Sequence, residues 1–156
     1  METEASNANL KFDIQVALKY SLILALCYVT LFSTAKMMGF AQIINIRLIN
    51  YVFAFIFCYK AIDKVYASKK YTNIYFTGIR ISIFTAAFAQ FGFAFLLFIY
   101  LNFDHSFAHY LVTRMPWDIV MPEFSVSLLF FAEGLAISII TSIILIQYFE
   151  WKRRIH

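Results

Sequence analysis

The sequence predicts an all-α integral membrane protein: a four-helix bundle with both termini in the cytoplasm and an amphipathic segment in the outer loop between the third and fourth spans. Three observations carry this. The 156 residues are 62% hydrophobic and only 14% charged, where a soluble domain is about 45–50% apolar and about 25% charged. A chain this short buries only about 70% of its unfolded surface, so the apolar surplus cannot be hidden in its own core. With four Gly and two Pro, long uninterrupted helices are favoured over loops. Finally, four charge-free runs recur along the chain, the shorter ones having to extend past a charge to reach membrane length. Composition therefore excludes a soluble globular enzyme and a disordered chain. The mean hydropathy of +0.73 points the same way.

The first span is expected at about 14–37, around the uncharged run from Tyr20 to Ala35. It should stay as an anchor, because residues 1–10 carry Glu2 and Glu4 and no basic stretch of the kind that opens a signal peptide. Gly39 is placed to end the helix with a tight turn. The second span is expected at about 42–61. Its uncharged core, Leu48 to Tyr59, is short of the roughly 20 residues a spanning helix needs, so it has to extend past a charge. The third, about 74–101, holds the longest uncharged run, Ile81 to Phe103. The fourth, about 124–149, contains Gly134 to Phe149 and one acid, Glu133.

Lys and Arg then set orientation. Nine lie in the N-terminal flank, the loop after the second span and the C-terminal tail. Three lie on the other side (Lys36, Arg47 and Arg114), and Arg80 falls within the third span. The excess faces the cytoplasm. Both termini on one side require an even number of spans, which four satisfy. The net charge of +4 is thus a topology device, and no nucleic-acid partner is expected. In the outer loop Phe103, Phe107, Tyr110 and Leu111 recur at helical spacing, as in a helix lying on the membrane surface with Trp117 at headgroup depth. Cys27 and Cys58 sit in apolar runs with no paired spacing, so no disulfide framework is expected.

Small residues mark where helices approach closely in lipid: Gly78, Ser82 and Ala86 in the third span, Gly134 and Ser138 in the fourth. Either ordinary packing of one bundle or an oligomer interface accounts for them. Glu133 sits about 14 Å into its span, where a charge costs about 3 kcal/mol. It should be protonated, paired or turned to a wet cavity. Arg47 is the expected partner, with Asn50 supporting, although Arg47 can equally snorkel to outer headgroups. Arg80 points away from the Gly78 face and is expected to snorkel to cytoplasmic phosphates. His105 and His109, four apart beside Asp104, make an incomplete ligand set, so no metal site is expected. No nucleophile–base set or phosphate loop is present, hence no enzyme and no cofactor.

Several short stretches resemble a known family: Lys-Tyr-Ser at 19–21, Met-Met-Gly at 37–39, Ile-Arg-Leu-Ile-Asn-Tyr at 46–51, Tyr-Phe-Thr-Gly at 75–78, Glu-Gly-Leu-Ala-Ile-Ser at 133–138 and Gln-Tyr-Phe at 147–149. Together they resemble a bacterial domain-of-unknown-function family of small four-span inner-membrane proteins (family number 4199). The resemblance implies an inner-membrane location and marks Arg47, Asn50, Tyr51, Gly78, Glu133, Gly134 and Ser138 as matching positions. It implies no activity. The expected role is an accessory or assembly subunit acting through helix–helix contacts, its partners being the lipid bilayer and a second copy or another membrane protein. The alternative is a small oligomeric proton- or ion-linked transporter or pore using Glu133.

Overall fold

The computed structural model describes residues 2–39, 46–67, 74–113 and 122–155. Among these the chain is all-helical, with α1 over Glu2–Met37, α2 over Ile46–Ala67, α3 over Ile74–Phe103, α4 over His105–Thr113 and α5 over Glu123–Ile155. Four of the helices cover the expected spans. α1 starts well before residue 14, and α2 runs six residues past 61. Positions 42–45 of the second expected span lie outside the described residues. Gly39 ends α1 as expected. Its φ of +74° suits a residue without Cβ, and its N–H reaches the Lys36 carbonyl at 3.1 Å.

α1, α2, α3 and α5 pack alternately up and down. α1 and α3 are parallel: Ala25 faces Gly92, Tyr28 meets Phe93 edge-on at 5.7 Å, and Phe32 meets Tyr100 at 5.3 Å. α3 and α5 are antiparallel, with Gly78 against Ile146 at one end and Phe98 against Phe124, 6.0 Å between centroids, at the other. α2 runs parallel to α5, with Tyr59 stacked on Phe149 at 5.1 Å. It runs antiparallel to α3, with the Cys58 thiol 3.7 Å from the Ser82 carbonyl.

The core follows from this arrangement. Leu24, Tyr28, Ala54, Ala89, Phe93, Leu97 and Leu101 fill one half of the bundle. Cys58, Ile62, Ala86, Leu145, Ile146 and Phe149 fill the other half between α2, α3 and α5. The outward surface stays apolar, with Leu22, Leu26, Phe76, Phe91, Phe95, Leu128, Ile140 and Ile144 all exposed. A surface this apolar is compatible with insertion into lipid, where helix association rests on close van der Waals fit and interhelical hydrogen bonds.

Three helices are long and apolar enough to cross a membrane, over Lys11–Met37, Tyr75–Phe103 and Phe124–Lys152. α2 is not among them because of its charges. Arg47, Lys60, Asp63 and Lys64 leave no stretch of 18 residues in it with fewer than three.

The segment after α3 is helical, as its periodicity predicts. Asp104 caps α4, accepting the Phe107 N–H at 3.0 Å, which satisfies one of the orphan donors of a helix start. The apolar face of α4 (Phe107, Ala108 and Leu111) is buried in the first core cluster, while His105, Ser106 and His109 are exposed. That face is therefore covered by protein, whereas a surface helix would turn it to lipid. Trp117 lies outside the described residues.

Candidate functional site

A group of polar residues inside the bundle falls on one seam where α2, α3 and α5 meet. Along the α3–α5 contact the facing positions descend in step: Gly78 with Ile146, Ser82 with Ser142, Gln90 with Gly134. The Ser82 and Ser142 hydroxyls are 2.7 Å apart. Ser142 also bonds the Ser138 carbonyl, and Ser138 the Gly134 carbonyl, each at 2.6 Å. A hydroxyl has one proton, so when Ser142 donates to Ser138, Ser82 donates to Ser142.

At the middle of the seam Gln90 lies flat across Gly134. Its Nε2 donates to the Phe130 carbonyl at 3.1 Å. A Cβ on Gly134 would lie 1.9 Å from that nitrogen, so only glycine fits under this amide. Gly78 has a milder version of the same constraint: a Cβ there would lie 3.1 Å from the Tyr66 hydroxyl and 3.3 Å from Ile146. Glu133 is adjacent, on the α2 side, and accepts a hydrogen bond from the Tyr51 hydroxyl through Oε1. Gln90 is one residue from the midpoint of the Tyr75–Phe103 stretch, so this layer sits at half depth.

The expected partner of Glu133, Arg47, has a side chain outside the described residues. Asn50 is half-buried, and its Oδ1 is buried without a hydrogen-bond partner among the described residues. Ser82, Ala86, Gly134 and Ser138 are buried as expected of packing positions.

Arg80 was expected to reach lipid phosphates. Instead one arm of its guanidinium is bonded to Asp13 of α1. Asp13 is 1% exposed while the Arg80 side chain is 40% exposed. A carboxylate buried to that degree needs a cation, which explains why Arg80 turns inward while keeping a wet face.

A second ion pair joins the same two helices at their other ends. Lys36 Nζ lies 3.0 Å from Asp104 Oδ2 and 4.3 Å from the centre of the Phe107 ring. Tyr100 donates to the same oxygen at 2.6 Å. The Tyr100 hydroxyl, then the Phe107 N–H and the Lys36 ammonium, hold the Asp104 carboxyl down at about 2. Asp104 is thus engaged in a cap and an ion pair, and His105 and His109 point to the exposed side. Among the described residues no three metal-ligating side chains gather.

Asp13, Gln90 and the Tyr51–Glu133 bond are the residues that sequence reasoning missed. Gln90 carried a signal, being the one amide side chain between Ile81 and Leu101. A comparison with protein families, curated proteins and solved structures found no match.

Proposed function

We propose that the chain is a multi-pass protein of the cytoplasmic membrane, with four spans and both termini in the cytoplasm, that serves as an accessory or assembly subunit through its helix faces. The observation that carries this reading is the half-depth layer. Glu133 is turned into the bundle and held by Tyr51, beside a glutamine locked over a glycine. Half-buried polar groups held between helices are known in some bundles to fix register and partner choice.

The parallel run of α1 and α3 supports four spans. If both cross in the same direction, the chain must return between them. α2 makes that return with 22 residues, about 33 Å of helix. Its charges Lys60 and Lys64 then lie near the level of Arg80, where long side chains snorkel. The Asp13–Arg80 and Lys36–Asp104 pairs are about 35 Å apart along the helices, close to the roughly 30 Å of a bilayer core. The excess of Lys and Arg at the Asp13–Arg80 end supports a cytoplasmic location for that end.

The test compares wild type, Glu133→Gln and Tyr51→Phe in reconstituted vesicles and after gentle detergent extraction. An assembly role predicts no pH-dependent flux in any of them and an altered oligomer or partner set in the variants. A flux present in wild type and lost in Glu133→Gln overturns the reading in favour of proton- or ion-linked transport.

A further inference from the structure

One face of α1 combines exposed leucines with a hydrophilic row. Lys11, Gln15 and Lys19 are all exposed. They are four residues apart and so share one stripe of the helix. Around them stand Leu18, Leu22 and Leu26, the last two at 66% and 64% exposure. The opposite face, with Asp13, Val16 and Ala17, is buried.

Depth makes Lys19 unusual. It lies six residues inward of the Asp13–Arg80 pair, about 9 Å along the helix. The half-depth groups Glu133 and Gln90 turn inward, the first bonded by the Tyr51 hydroxyl and the second to the Phe130 carbonyl. Among the described residues Lys19 forms no hydrogen bond or ion pair, and its side chain faces outward. An ammonium on an apolar surface needs an anion or water. Side chains on a helix lean toward its N-terminus, so Lys19 reaches back about one turn, about 5 Å, to the level of Gln15. There its charge is adjacent to an amide donor and one turn inward of Lys11. Below it the exposed leucines continue for two further turns.

A ligand that matches both halves carries a phosphate above and hydrocarbon below. We propose that Lys11, Gln15 and Lys19 seat the phosphate of an anionic phospholipid, its acyl chains lying along Leu18, Leu22 and Leu26. The two cations supply the charge complement, and the leucine row supplies the continuation that a soluble anion would not use. This seat rests on the membrane reading above.

The experiment uses the full chain in nanodiscs of phosphatidylcholine doped with phosphatidylglycerol, and counts the lipid retained after mild detergent extraction. Wild type should retain phosphatidylglycerol in preference to phosphatidylcholine. Lys19→Gln should reduce that preference about fivefold, the contribution of one basic residue near a charged membrane surface, and Lys11→Gln/Lys19→Gln should abolish it. Both variants change exposed side chains and should melt like wild type in phosphatidylcholine alone. Lys152→Gln, at the same end of the bundle on α5, should keep the preference. Inorganic phosphate should not displace the lipid.

An equal loss in Lys152→Gln overturns the seat in favour of a diffuse basic collar. Displacement by inorganic phosphate overturns the lipid assignment, and a wild type without preference overturns the proposal altogether. Failure of the membrane reading is separable: the chain would then be washed from membranes by alkaline carbonate. Capture of an acidic protein with no lipid preference would assign the stripe to a protein partner and refute the seat.

Discussion

Gly134→Ala tests the tightest point of the bundle. The added Cβ would lie 1.9 Å from Gln90 Nε2, 2.1 Å from its Cδ and 2.6 Å from its Cγ. A swing of the amide alone is insufficient, because Cγ also collides. Gln90 must leave its rotamer or α3 and α5 must separate. Either change breaks the bond to the Phe130 carbonyl, worth about 0.6–1.7 kcal/mol between helices in lipid. Overpacking adds about 1–3 kcal/mol, while alanine regains up to about 1 kcal/mol of helix propensity over glycine. The net destabilisation is about 1–3 kcal/mol. For a chain of this size that lowers Tm by about 2–4 °C per kcal/mol. The assay is a thermal melt in mild detergent read by a thiol-reactive dye, because Cys58 is fully buried in the folded bundle. Gln90→Ala alone loses the bond and some packing. Adding it to Gly134→Ala removes the collision, so the double variant should melt above Gly134→Ala alone, a coupling expected of residues in contact. A Gly134→Ala protein that melts at or above wild type, or strict additivity in the double variant, refutes the geometry of this layer.

Two further outcomes follow from the ion pairs. Arg80→Met should destabilise more than Asp13→Asn in the same melt, because it leaves a carboxylate of 1% exposure without its cation, whereas Asp13→Asn leaves a half-exposed guanidinium that water can reach; the double variant should recover part of the loss. Asp104 gives a pH signature. Its carboxyl is held at about 2 against an ordinary 3.8, so the ionised form is favoured by folding. Its contribution is complete above about pH 4 and is lost as pH falls toward about 2. The difference in Tm between wild type and Asp104→Asn should therefore close over that window and stay constant from about pH 5 to 7.

What was legible in the sequence is what lipid dictates. Charge-free runs placed all four long helices, because a charge in hydrocarbon is costly enough to leave a gap in composition. Gly39 was legible because a positive φ selects glycine. The interior pairs were not. The Tyr51 bond to Glu133 was invisible, since which α2 side chain faces α5 depends on rotation and depth that no period in the sequence encodes, while the side chain of Arg47, the expected partner, lies outside the described residues. Asp13 carried no signal, because its burial depends on Arg80, 67 residues away. The His105–Asp104–His109 group read as an incomplete ligand set. The local signal for a cap, an aspartate three residues before Phe107, was present and names the role Asp104 fills.

The two ion pairs also bear on why α1 and α3 are parallel at all. Apolar helices in lipid have little preference for one sense of packing over the other, since both senses bury similar surface. Here the charges are arranged with opposite polarity at the two ends: acid on α1 with base on α3, then base on α1 with acid at the end of α3. Docked antiparallel, the same helices would bring Asp13 toward Asp104 and Lys36 toward Arg80, two like-charge contacts in place of two salt bridges. Such repulsion is a specificity device, acting against the wrong arrangement more than for the right one. It disfavours an antiparallel packing of α1 on α3 and agrees with the parallel arrangement in which α2 runs back.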